Sequence, residues 1–90
     1  MEEQEILYKG RRIQILRGKG PQTFPIADYP LTIWDKKTKT PWGNAKQNSS
    51  GAYEGFIQYG MGELSISGET LRELAADAYF QILWCEKNDV

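Results

Sequence analysis

Residues 70–86 read TLRELAADAYFQILWCE, and the fold follows from them. Thr70 and Glu73 stand in the T-x-x-E spacing of a capping box, in which two side chains satisfy backbone N–H groups that the first helical turn leaves without partners. An apolar stripe follows at once. Leu71, Leu74, Ala75, Ala78, Ile82 and Cys85 recur at the three-and-four spacing of one helical face, flanked by Tyr79 and Leu83. Arg72, Glu73, Asp77 and Glu86 point elsewhere. The spacing predicts a helix from about 71 to 86 with one side to bury. At roughly 1.5–3 kcal/mol per fully buried large apolar side chain, that stripe is the expected main source of stability.

What it buries against is written upstream. Residues 5–17, EILYKGRRIQILR, alternate in two blocks. Ile6 and Tyr8 are expected on one side of a first strand, and Ile13 and Ile15 on one side of a second. Gly10-Arg11 would join them as a tight II′ turn, since glycine reaches positive φ without strain, with a single long bent strand as the alternative. Leu31-Thr32-Ile33-Trp34 is a β-branched and aromatic run that reads as a strand. A short return strand at Thr40–Trp42 is expected on a sheet edge because Pro41 lacks a backbone donor. Tyr53–Tyr59 and Glu63–Ser67 form the clearest hairpin, closed by Gly60-Met61-Gly62, with Leu64, Ile66 and their neighbour Phe56 toward the core. Between these elements, 18–30 carries Pro21, Pro25 and Pro30 and reads as a loop that lays Phe24, Ile26 and Tyr29 on the sheet. Residues 43–52, GNAKQNSSGA, have the composition of a flexible loop. The expected fold is therefore α+β: a four- or five-stranded, mostly antiparallel sheet covered on one face by a C-terminal helix, in one domain spanning 1–90.

Composition narrows the chemistry. Ninety residues, 40% hydrophobic and 26% charged, suit a single small core. The chain has no histidine and one cysteine, Cys85. Imidazole is the commonest general base at neutral pH and the commonest zinc ligand, so Ser-His-Asp and Cys-His arrangements and the usual zinc sites fall away. The acids carry no spacing that marks a paired acid and base. Gly18-Lys19-Gly20 lacks the glycine at 13 and the hydroxyl residue at 20 that a P-loop requires, and Gly60-Met61-Gly62 lacks a third glycine. No enzyme, catalytic residue, metal or cofactor is expected. Cys85 reads as a small buried hydrophobe rather than a reactive thiol. No run approaches the roughly 18–20 apolar residues of a membrane span, and the start, MEEQE, has the wrong sign for a signal peptide. The expected setting is the cytoplasm, without membrane contact.

Charge is segregated along the chain although the net value is −1. Between residues 9 and 47, nine Lys and Arg face only Asp28 and Asp35; outside that window Arg72 and Lys87 face ten acids. Arg11 and Arg12 in one turn and Lys36, Lys37 and Lys39 in another form the candidate polyanion site. Trp34 and Trp42 beside the second turn are candidate stacking groups for a single-stranded nucleic acid. In the plainer reading, lysines at hairpin tips keep edges soluble and the tryptophans fill the core. The alternative function is protein recognition, as an interaction or inhibitor module of the size that phage and mobile elements use, with a homodimer among its forms. Trp84 falls beside the main stripe, where the edge of the core is the preferred reading and a contact surface the other. The functional expectation is a small non-enzymatic binding or regulatory protein whose partner is nucleic acid or, alternatively, protein.

Overall fold

The two alternating blocks at the start of the chain do pair, and every later strand adds to the one before it. The computed structural model describes residues 4–60 and 62–88. Six strands, β1 (Gln4–Lys9), β2 (Ile13–Gly18), β3 (Leu31–Asp35), β4 (Thr40–Gln47), β5 (Tyr53–Tyr59) and β6 (Gly62–Gly68), precede one helix, α1 (Leu71–Asn88). The sheet is an antiparallel meander in the order β1-β2-β3-β4-β5-β6. The architecture is α+β, with six strands instead of the four or five expected. No helix among the described residues is long and apolar enough to cross a membrane.

The return strand expected at Thr40–Trp42 is present, and residues 43–47 lengthen it. Their Gly and Asn content suggests a loop, but β4 runs through them to Gln47, between β3 and β5, and only Asn48–Ala52 turn. Two physical features hide the full length of β4 in the sequence. Pro41 is tolerated because β5 pairs with β4 only from Gly43 onward, so Thr40–Trp42 have β3 on one side alone, as the proline predicts, and a bulge at Trp42 shifts the register with β3. Gly43 and Gly55 are needed for close approach: a Cβ on Gly43 would strike the Phe56 carbonyl, and one on Gly55 the Asn44 carbonyl.

α1 covers one sheet face. Leu74, Ala75, Ala78, Ile82 and Cys85 are buried, and the first four join Ile13, Ile15, Leu31, Ile33, Ala45, Ile57 and Ile66 in one core. The predicted stripe is thus the one that packs. Glu73 N–H donates to Thr70 Oγ1 at 3.1 Å, while the Glu73 carboxylate accepts from Glu69 N, one residue before the usual capping-box partner.

Several side chains differ from expectation. A bulge in β1 leaves Leu7 between the pairs Ile6–Leu16 and Tyr8–Ile15. Leu7 and Tyr8 therefore pack on the core, and Ile6 is exposed. The β1–β2 connection is the three residues Gly10–Arg12, closed by Gly10 N to Ile13 O, and Gly10 is not at positive φ. On β5 the core residue is Ile57; Phe56 lies on the far face, where Tyr29 meets it edge-on at 5.3 Å. The β5–β6 connection has Gly60 at φ 60°, and Met61 lies outside the described residues.

The 19–30 segment crosses that far face through its backbone. Thr32 Oγ1 accepts from Phe24 N, and Asn44 Nδ2 donates to the carbonyls of Phe24 and Leu31. Leu16, Thr32 and Asn44 are buried and Tyr29 half-buried, whereas Phe24 and Ile26 stay exposed. Gly43→Ala is expected to lower stability by about 3 kcal/mol, read as a lower urea midpoint, because backbone rather than a movable side chain blocks the added methyl.

Candidate functional site

The β1–β2 and β3–β4 turns meet at one corner of the sheet, beside the last turn of α1. Asp35, the final residue of β3, is fully buried there. Its carboxylate accepts from Arg12 Nε at 2.8 Å, Arg12 Nη2 at 3.0 Å, Trp42 Nε1 at 2.7 Å, Thr38 Oγ1 at 2.9 Å and Lys37 N at 3.1 Å. The other side of the Arg12 guanidinium reaches Glu86 at 2.9 and 3.2 Å. Burial pushes the Asp35 carboxyl up, but the donors from Arg12, Trp42, Thr38 and Lys37 outweigh it and hold the group well below the usual carboxylate range. The bonds to Asp35 and then Glu86 raise Arg12 above its ordinary value, and the bond from Arg12 lowers Glu86. An acid with both oxygens saturated by donors and its pKa depressed is a poor proton acceptor at neutral pH. This cluster is a clamp between sheet and helix.

The two basic turns are in contact. Lys36 Nζ donates to Gly10 O at 2.8 Å, and Lys36 N to Arg12 O at 2.7 Å. Arg11, Lys37 and Lys39 are exposed, with Lys39 at φ 57° closing the turn onto Asp35 O. Arg12 is the exception among the candidate cations, since two carboxylates neutralise it. The candidate stacking groups are not presented beside these cations. Trp34 is buried, 8% exposed. Trp42 is half-buried, with its N–H on Asp35 and its ring stacked on Tyr59 at 5.0 Å and 6°.

A different surface is open. Phe80 is 63% exposed, Trp84 49%, and Tyr79 and Leu83 each 41%. At 100° per residue, Phe80, Leu83 and Trp84 lie on the side of α1 away from Leu74, Ala78 and Ile82. Trp84 is therefore on the open face of α1 rather than at the edge of the core. Tyr79 stands at its border, with the Arg12 guanidinium 5.9 Å from its ring centroid. Beside it a cleft of about 300 Å³ opens between the β1–β2 turn and α1, lined in part by Tyr8, Arg11, Arg12, Ala76 and Tyr79. Cys85 is buried, as its place in the apolar stripe implies.

Sequence reasoning missed Phe80, Asp35 and Glu86. The signal for Phe80 was present, because Phe80, Leu83 and Trp84 repeat at three-and-four spacing on the side opposite the core stripe. For Asp35, the local cue was Asp followed two and three residues later by a turn N–H and a threonine hydroxyl. Arg12 reaches Asp35 across 23 residues of chain and Glu86 across 74, and no local pattern encodes that. Compared with protein-family models, curated proteins and solved structures, the chain finds no match.

The folded pKa of Asp35 is depressed, so its contribution to stability is complete above the unfolded value near 3.9 and is lost as pH falls through and below that value toward the folded one. Asp35→Asn is expected to cost about 3 kcal/mol at pH 7. The gap to the wild-type protein should narrow below about pH 4, as measured by urea unfolding at both pH values.

Proposed function

We propose that this protein is a non-enzymatic protein-binding module that recognises its partner through the outer face of α1. The observation that carries the reading is the group Tyr79, Phe80, Leu83 and Trp84, all open to solvent on one helix. At roughly 150–250 Å² per aromatic side chain, these four leave on the order of 400 Å² of apolar surface in one place, at the level where a patch on a monomer marks an interaction site. Tryptophan and tyrosine are favoured anchors in such contacts because they combine large apolar area with few rotatable bonds. The adjoining cleft, with Arg11 in its lining, supplies a polar rim.

A second reading keeps the polyanion site. It is favoured by the contact between the two basic turns through Lys36. It is weakened by the burial of Trp34, the stacking of Trp42 on Tyr59 and the neutralisation of Arg12. What remains is Arg11, Lys36, Lys37 and Lys39 as phosphate contacts without a base platform.

Photo-cross-linking in cells separates the two. A benzophenone side chain at position 80 is expected to give protein adducts, and the same probe at position 37 few. Adducts to nucleic acid from position 37 with none from position 80 would replace the first reading by the second. In the purified protein, the second reading also requires single-stranded DNA binding that weakens with salt by a log–log slope of about −0.7 per phosphate contacted. Lys37→Glu should then reduce binding across sequences.

A further inference from the structure

We infer that the partner of the α1 face is a second copy of this chain, docked helix to helix in antiparallel orientation about a two-fold axis near Phe80. This rests on the reading of α1 as a protein-contact surface and adds the identity of the occupant. The face is more than an apolar patch. Glu73, Ala76, Phe80, Leu83 and Lys87 recur at spacings of three, four, three and four, the repeat of a helix-pairing seam, with Trp84 beside Leu83. All six residues are solvent-exposed. Between Glu73 and Lys87 the seam runs about 21 Å along the helix, on the side turned away from the sheet, and none of the described elements covers it.

Reversed about Phe80, the face is complementary at its centre, at the layer on each side of it and at both ends, while Leu83 falls opposite the partner's Asp77. With the axis at Phe80, that ring meets the partner's Phe80. Ala76 stands opposite the partner's Trp84, a small residue against the largest. Glu73 stands opposite the partner's Lys87, an acid against a base, at both ends of the pair. The Glu73 cap uses one carboxylate oxygen and leaves the other for that contact. A parallel pairing would put Glu73 against Glu73 and Lys87 against Lys87, and Trp84 against Trp84. Charge and size therefore select the antiparallel arrangement. An isologous contact of this kind also closes on itself, so the assembly stops at two chains.

Sedimentation velocity of the purified full chain from micromolar to millimolar concentration tests the inference. The expected result is a reversible shift to twice the 10.3 kDa chain mass. Phe80→Glu should abolish the shift while leaving the melting curve of the fold intact. Lys87→Glu should weaken association at least fivefold, and adding Glu73→Lys should restore it. A dimer unaffected by Phe80→Glu overturns the inference, because it uses another surface. A monomer at every concentration whose position-80 probe still captures a different protein overturns the second copy and leaves the helix-face function standing. A monomer whose probe captures nothing overturns both.

Discussion

The buried carboxylate of Asp35 is the point on which the rest of the structure hangs. An ionised acid removed from water is expensive to keep, and here five hydrogen bonds from four residues offset that cost. The donors come from three places: Arg12 in the β1–β2 turn, Lys37 and Thr38 in the β3–β4 turn, and the indole of Trp42 at the β4 bulge. Through Arg12 the charge continues to Glu86, so the last turn of α1 is tied to the same corner. At its other end α1 is held by the Thr70 and Glu73 caps and by Asp77 accepting from Ser67 N. Apolar burial along the middle supplies the driving force, and the polar contacts at the two ends fix how the helix lies across the strands.

Elements with a local physical cause were legible in the sequence. The helix was readable because its cap and its stripe lie within one continuous segment. The same holds for Ile13 and Ile15 on β2, for Leu31 and Ile33 on β3, and for the β5–β6 hairpin. What escaped was whatever depends on a neighbouring strand. Gly43 and Gly55 look like loop residues until β4 and β5 are brought so close that neither tolerates a Cβ. Pro41 does mark a stretch with a strand on one side only, but it hides that β4 continues past Trp42 into the interior of the sheet. A single bulge at Leu7 was enough to turn Ile6 out to solvent while Tyr8 stays on the core.

For the candidate site, residue type proved a weaker guide than position. Three tryptophans were candidates, and the fold gives them three environments: Trp34 interior, Trp42 engaged by Asp35 and Tyr59, and Trp84 open. Clustering of basic residues along the chain did translate into adjacency of the two basic turns. It did not translate into a uniform cationic surface, because Arg12 serves the clamp. The apolar face of α1 was legible in principle, since a helix with bulky side chains on two opposite sides has one side more than a single sheet can cover.

Because every strand pairs with the strand next to it in the chain, each of the five pairings closes a loop of modest length. The largest separation between partners across a turn is set by the twelve residues from 19 to 30. Such connectivity keeps the entropic barrier to assembly low and lets hairpins form progressively as the polypeptide emerges. The exception is the docking of α1 against β1 and β2, which must wait until α1 itself has been made. Until then the sheet carries an uncovered apolar face, and the interval between synthesis of β6 and arrival of the helix is when this protein is most exposed to misassociation.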